Sequence, residues 1–190
     1  MDNREGTLVR LLDLDDEFVI DLKYATSNNF TQKKIYNSDE CYINKDTAEL
    51  LIKAKEIFKR DGYKVKVWDV YRPISAQRLM YEIIPDNNLV ATPPDMSKPI
   101  DFEYSHMNGM SVDITLLDLD GNEIEMPTEF DDFTEMANLK CPRIPMEARR
   151  NAEYLKEVME SVGFEGYDYE WWHFNDITNE PTPYLDIQFE

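Results

Sequence analysis

Residues 46–73, DTAELLIKAKEIFKRDGYKVKVWDVYRP, change their apolar period midway, and no other stretch restricts the fold as strongly. Leu50, Ala54, Ile57 and Phe58 recur at three- and four-residue intervals, which on a helix makes one buried stripe. Asp46 is placed to cap that helix, Glu49 completes a capping-box spacing, and Gly62 stops it. From Tyr63 the pattern reads as a strand that Pro73 ends, with Arg72 forced into an extended conformation by the proline after it. A helix running straight into a strand calls for a sheet on which its apolar stripe can pack.

The flanking segments supply that sheet. FVIDLKYAT (18–26) alternates as a strand, and SAQRLMYEII (75–84) reads as a short helix. MSVDITLLDLDGNEIEM (110–126) predicts a strand, a turn at Asp120–Gly121 and a return strand. Ala148, Ala152, Leu155, Met159 and Val162 keep helical spacing over 146–162, closed by Gly163, and YDYEWWHFN (167–175) is aromatic and extended. Between them, residues 85–104 hold Pro85, Pro93, Pro94 and Pro99 without any period, and a loop of that length usually covers a site. Helices and strands mix without strict βαβ alternation. The expectation is therefore α+β, a single domain over residues 1–190 with helices packed on a mainly antiparallel sheet.

Charge excludes several partners. With 39 Asp and Glu against 20 Lys and Arg, the net charge is −19. Phosphate backbones need clustered Lys and Arg, so nucleic acid is disfavoured, as is an anionic membrane surface. There is no run of about 18 apolar residues and no basic-then-apolar N-terminus, so neither a membrane span nor a signal peptide is expected. A dispersed cytoplasmic protein is the plain expectation, and a cationic ligand such as a metal ion or free amine is electrostatically welcome. Cys41 and Cys141 lack CxxC spacing and are expected to be buried thiols rather than a disulfide.

Two histidines carry the chemistry. A hydrolytic zinc site wants three ligands from His, Asp, Glu or Cys and one open position. If Asn108–Gly109 forms a two-residue hairpin turn, His106 lies opposite Ser111 and Asp113 is its diagonal neighbour on the same face. In EWWH, Glu170 and His173 point to opposite faces of a regular strand, so both reach one ion only if the backbone bulges between them. Each element also has a plain reading: His106 as a loop histidine, Glu170 as a surface carboxylate, Arg72 of DVYRP as a strand-end charge. Beside a metal, however, the Arg72 guanidinium is the natural partner for an oxyanion. Trp171 and Trp172 belong to the core or the pocket wall in either case.

In the order YRP, HxxxxxxD, ExxH, the chain resembles the D-alanyl-D-alanine dipeptidase family of zinc D,D-peptidases of peptidoglycan metabolism. DLKYATSNNFT (21–31), WDVYRP (68–73), VDITL (112–116), EFDDF (129–133), EARRN (147–151) and GFEGYDYEWWHF (163–174) look like family segments in family order. The resemblance implies one Zn2+ per chain on His106, Asp113 and His173, with Glu170 as catalytic base and Arg72 stabilising the transition state. It also implies that Asp131 and Tyr24 read the ammonium of a small dipeptide. Two departures stand out: Tyr104 replaces a serine of the family pattern and Ser111 an alanine, while Met107 and Asn108 replace a frequent Ser-Arg. Ser111 adds only a hydroxyl, but Tyr104 puts a large ring near the substrate and bears on which dipeptide is taken.

The expected activity is hydrolysis of D-Ala-D-Ala or a related small D-containing dipeptide through a metal-bound water. A D,D- or L,D-carboxypeptidase acting on peptidoglycan stem peptides is the alternative; a closed 85–104 loop favours the dipeptidase and an open cleft the stems. A zinc-binding module without catalysis is disfavoured, because neither Glu170 nor Arg72 is needed merely to hold zinc.

Overall fold

The computed structural model describes residues 7–84 and 90–189. Its elements in chain order are β1 (Leu8–Arg10), α1 (Leu11–Leu14), β2 (Val19–Ile20), β3 (Tyr42–Asn44), α2 (Lys45–Arg60), β4 (Lys64–Asp69), α3 (Ile74–Ile83), β5 (Ser111–Leu117), α4 (Met146–Ser161), β6 (Phe164–Tyr167) and β7 (Glu170–Asp176). Five strands form a sheet in the order β2-β4-β5-β7-β6, while β1 and β3 pair separately. Within the five-stranded sheet β2 runs parallel to β4, and the other pairings are antiparallel. The fold is thus α+β on a mainly antiparallel sheet.

Side-chain alternation gives this sheet one apolar and one polar face. Val65, Val67, Val112, Ile114, Leu116 and Phe174 share the first face by register. They join one core with Ala54 and Phe58 of α2 and Leu155 and Met159 of α4. Lys66, Ser111, Asp113, Thr115, His173 and Asn175 take the opposite face. Burying polar groups there is tolerable only if they partner one another or a ligand.

Two irregularities re-aim side chains onto that polar face. On β4, Val67 pairs with Ile114 but Asp69 pairs with Asp113, so two steps on one strand match one on the other. This bulge leaves Trp68 as the extra residue and turns Asp69 away from the core side that Val67 occupies. On β7, Gly166 pairs with Phe174 while the next residue, Tyr167, pairs with Glu170. A regular ladder would bring His173 to that position. The excess chain between Glu170 and Phe174 lets Glu170 and His173 serve the same side, which is the bulge their spacing requires.

Other sequence expectations are corrected. The strand expected over 18–26 shrinks to β2, because residues Lys23–Ala25 coil into a 3₁₀ turn. Asn44, not Asp46, caps α2: its side chain accepts from the Asp46 N–H, and the Asp46–Glu49 box does not form. Ile57 is only half-buried, whereas Leu50, Ala54 and Phe58 are buried. The return strand after Gly121 is reduced to a single bridge, Leu117 to Glu123. The hairpin at Asn108–Gly109 is also absent: His106–Asn108 form a 3₁₀ turn ahead of β5, so His106 has no strand partner across from Ser111. Tyr167–Asn175 is not continuously extended, since β6 and β7 meet at a turn over Asp168–Tyr169. Of the proline-rich loop, residues 85–89 lie outside the described residues, and 90–104 contain neither helix nor strand. Both thiols are free and buried, as expected.

The His106 turn is fastened on several sides. Ser105 accepts from the Met107 N–H, and the fully buried Asn108 accepts from Ser105 N–H and donates to the carbonyls of Glu103 and Thr182. The C-terminal segment runs beneath it: Leu185 N–H donates to Met107 O, and Leu185 O accepts from Ile74 at the start of α3. Gly109 ends the turn at φ 69°, and a Cβ there would stand 2.7 Å from Asn44 N and 2.9 Å from Leu8 Cδ2. Gly62 also has a positive φ, 91°, but a Cβ there would meet open space. Gly62→Ala should therefore lose only the left-handed backbone term, about 1 kcal/mol, whereas Gly109→Ala should lose about 3 kcal/mol. Urea denaturation of the two variants checks this; equal losses would show that Gly109 is not packed against β3.

Candidate active site

One row across three strands carries Asp69 on β4, Asp113 on β5 and His173 on β7. His106 approaches this row from its 3₁₀ turn. His173 Nδ1 lies 2.9 Å from Asp113 Oδ1, His106 Nε2 lies 3.3 Å from Asp113 Oδ2, and the two ring nitrogens are 3.3 Å apart. The outer ring nitrogens have partners of their own. His106 Nδ1 is 2.7 Å from Val70 O, and His173 Nε2 is 3.0 Å from Asn175 Oδ1. Val70 O can only accept, so His106 Nδ1 carries the proton of the neutral ring and Nε2 presents the lone pair, whereas His173 has an acceptor on each side. Burial opposes ionisation of Asp113, but the two histidines outweigh it and hold the carboxyl below the usual carboxylate range.

Arg72 follows directly on this framework, because its N–H donates to His106 O. Its guanidinium donates to Asp69 Oδ2 from Nη2 at 2.6 Å and from Nε at 3.1 Å, and to Gln77 Oε1 from Nη1 at 2.8 Å. Gln77, on the first turn of α3, is fixed in turn by donating to Ala91 O. Asp69 is fully buried and also accepts from Tyr36 Oη at 2.6 Å. Locked at both edges, the guanidinium cannot swing, and the Tyr24 ring lies 5.2 Å from its carbon.

Tyr24 Oη also donates to both oxygens of Asp131, at 3.1 and 3.0 Å. Asp131 adopts φ 59°, a left-handed conformation that costs energy for any residue with a Cβ. Burial, reinforced by the Asp113 charge, pushes its carboxyl up to about 8 against the help of Tyr24 and Arg72. Glu170 is raised as well, chiefly by burial, with Asp113 adding to the effect and His173, His106 and Arg72 opposing it.

All eight residues singled out from the sequence line one cavity of about 520 Å³: Tyr24, Arg72, Tyr104, His106, Asp113, Asp131, Glu170 and His173. Val90, Ala91 and Thr92 from the described end of the proline-rich loop line it too. Sequence reasoning missed Asp69, Gln77, Tyr36 and Asn175. Asp69 had a signal, standing three residues before Arg72 in WDVYRP; Gln77, between polar Ser75 and Arg78 in ISAQR, gave none. Tyr36 sits in a segment without periodicity and gave none.

A polar sheet face that gathers two imidazoles and a carboxylate beside a raised glutamate and a locked arginine defines a metallopeptidase. The chain belongs to the D-ala-D-ala dipeptidase family, whose description matches residues 4–189. The D-alanyl-D-alanine dipeptidase of Escherichia coli (strain K12) is 33% identical over 182 residues, covering 96% of this chain and 91% of that protein. The Enterococcus faecium D-alanyl-D-alanine dipeptidase is 34% identical over 183 residues, covering 88% of this chain and 90% of that one. Among solved structures, a vancomycin-resistance D,D-pentapeptidase in complex with Zn(II) is similar at a TM-score of 0.46, with 15% identity over 75% of this chain and 76% of that chain.

The raised Asp131 carboxyl makes a stability prediction for the metal-free protein. Its folded value of about 8 lies above the ordinary 3.8, so the folded state holds this proton more tightly than the unfolded chain. That contribution is complete below about pH 4 and is lost as pH rises through about 8. Asp131→Asn, which keeps an acceptor for Tyr24 without the charge, should stabilise the chelated protein at pH 9 by on the order of 2 kcal/mol, discounted for partial exposure. Thermal melts at pH 9 and pH 4 test this: the gain should vanish at the acid end, and a pH-independent difference would contradict the assignment.

Proposed function

We propose that this protein is a zinc-dependent dipeptidase that hydrolyses D-Ala-D-Ala or a related small D-containing dipeptide, with one Zn2+ per chain. A single observation carries the metal: one nitrogen from each of two imidazoles and a buried carboxylate converge on one another at 2.9–3.3 Å. Donors about 2.0–2.1 Å from a tetrahedral zinc stand roughly 3.3 Å apart, so the spacing suits that ion. His106, Asp113 and His173 would hold it, these three being grouped closely enough for one ion.

When bound, zinc supplies a Lewis acid for the scissile carbonyl and lowers the pKa of a water towards about 7. The chain's residues do the rest. Glu170 takes the proton of the attacking water and returns it to the leaving amine; a carboxyl raised by burial suits a group that must give its proton back. Arg72, held by Asp69 and Gln77, offers its guanidinium to the developing oxyanion, a preorganised donor worth on the order of 3 kcal/mol. Asp131, supported by Tyr24, pairs with the substrate's ammonium, and Tyr104 narrows the cavity where the dipeptide lies.

The reading takes residues 1–190 as one catalytic domain with a small dipeptide as partner, acting in the cytoplasm. Two free, buried thiols support a reducing compartment. Among the described residues, no helix is long and apolar enough to cross a membrane.

Metal analysis tests the ligands: the protein should hold about one zinc per chain, and His173→Ala should abolish stoichiometric binding. A variant that kept full zinc and full turnover would remove His173 from the ligand set. Glu170→Ala should lose at least about 100-fold in kcat while keeping its zinc. Loss of metal from a folded Glu170→Ala protein would instead make Glu170 a ligand. For substrate class, kcat/KM should collapse on N-acetylated D-Ala-D-Ala, because the acyl cap removes the charge Asp131 pairs with. Equal values for free and acetylated dipeptides would favour a carboxypeptidase on stem peptides.

A further inference from the structure

The row of side chains next to Asp113 and His173 is made by Ser111 on β5 and Asn175 on β7, which pair directly across the ladder. Each stands two residues from a member of the metal-binding set and therefore shares its face. Ser111 is fully buried, and its hydroxyl donates to Asn175 Oδ1 at 2.6 Å. The same oxygen lies 3.0 Å from His173 Nε2. One amide oxygen thus accepts from the serine hydroxyl and has a second lone pair to offer the imidazole Nε2.

This matters because His173 has a competing choice. Its Nδ1 lies 2.9 Å from Asp113 Oδ1, close enough for an Nδ1–H to donate to that carboxylate. In that tautomer a proton would occupy the position the cation needs, and Nε2 would be left as a bare lone pair. Two acceptors on opposite sides of one ring compete for a single proton; the carboxylate is the stronger acceptor, so the amide side competes only if its oxygen is held facing the ring. An amide free to rotate could offer either its oxygen or its NH2 group. The Ser111 hydroxyl, present where the family pattern has alanine, gives the oxygen end a second partner and keeps it turned to the ring.

We propose that Asn175 and Ser111 are positioning residues: together they hold His173 as its Nε2–H tautomer and so present Nδ1 to the metal. The proposal rests on the zinc reading above. His106 needs no such device, because its outer nitrogen faces the main-chain carbonyl of Val70, which can only accept.

The test compares zinc dissociation constants, by chelator competition on the full chain, for wild type, Ser111→Ala, Asn175→Leu and Asn175→Asp. Asn175→Leu keeps the shape but removes the acceptor, and should weaken zinc binding about 10- to 100-fold, the usual range for loss of a ligand's supporting partner. Asn175→Asp restores an acceptor and should return affinity to within about threefold of wild type, while Ser111→Ala should lose only a few-fold. With two histidines in the chain, ring ¹⁵N–¹H spectra of the zinc-free protein supply a second readout. The Nε2–H signal of His173 should be present in wild type and Asn175→Asp, and should give way to Nδ1–H in Asn175→Leu. A purely structural cross-strand pair would lower melting temperature without moving tautomer or affinity. The proposal is overturned if folded Asn175→Leu binds zinc as tightly as wild type, or if Asn175→Asp is as weak as Asn175→Leu. Should Asn175→Leu fail to fold, the Nε2–H signal of Ser111→Ala and Asn175→Asp decides, and its absence from Asn175→Asp overturns the proposal. A wild-type protein that binds no zinc would overturn the metal reading and this proposal together, which separates that failure from a failure of the relay alone.

Discussion

Asp69 and Asp113 face each other across β4 and β5, both almost fully buried, and the rest of the site is organised around their shared charge. Side chains directly opposite in an antiparallel pair stand about 5 Å apart, where two carboxylates repel by about 3 kcal/mol even at an effective dielectric near 20. Each must therefore find its own compensation, and the two find different kinds. Asp69 is closed off by Arg72 and Tyr36, using permanent partners from the same chain. Asp113 has only the two imidazoles, whose inner nitrogens lie 3.3 and 2.9 Å from its oxygens. One acid is thus served by a guanidinium and a phenol, and its neighbour by two groups that are themselves common metal ligands. This division separates a structural carboxylate from one suited to hold metal.

The sheet supports that arrangement by departing from regularity in two places. A regular β4 would have turned Asp69 into the core beside Val67, where an ionised group without water is prohibitive. A regular β7 would have put Glu170 and His173 on opposite faces. In each case surplus chain is absorbed by aromatic residues that pack well wherever they are sent: Trp68 against Phe130 and Trp171, and Trp172 against Phe130. The aromatic density of the chain around EWWHF is thus the means by which bulges next to the cavity stay packed and dry. It is not perfect, since the Trp68 indole N–H is buried without a hydrogen-bond partner, a local loss of the size expected where backbone geometry is set by a site.

What the sequence disclosed follows the same division. Periodicity located α2, α4 and the central strands, because their faces are uniformly apolar or polar over many residues. The need for a bulge in EWWH was readable because two functional side chains had the wrong spacing for one face. The placement of His106 was reached from a hairpin that does not exist. Nothing local distinguishes a hairpin at Asn108–Gly109 from a 3₁₀ turn ended by a left-handed glycine, and the choice is made by long-range contacts from Asn44, Thr182 and Leu185. Tyr36 and Asn175 escaped for a related reason: a supporting residue is recognised by what it touches, and Asp69 and Ser111 reach them from other strands. The Ser111 departure looked trivial as a sequence difference because its consequence lies across the ladder, on Asn175.

In the proposed reading, Asp131 extends the same electrostatic logic to substrate choice. Asp113 is committed to the metal and Asp69 to Arg72, so the third acid, Asp131, is the one free to meet a substrate. Burial and the neighbouring Asp113 charge make it a reluctant anion when the cavity is empty. An arriving ammonium changes that balance, because it supplies the counter-charge that the protein withholds. Binding and ionisation of Asp131 are then one event, and a ligand without a positive end leaves either a protonated acid or an unpaired buried charge. Selection for a free amine thereby arises from what Asp131 lacks, a permanent cationic partner. Arg72 could have been that partner, but its guanidinium is already hydrogen-bonded to Asp69 and Gln77.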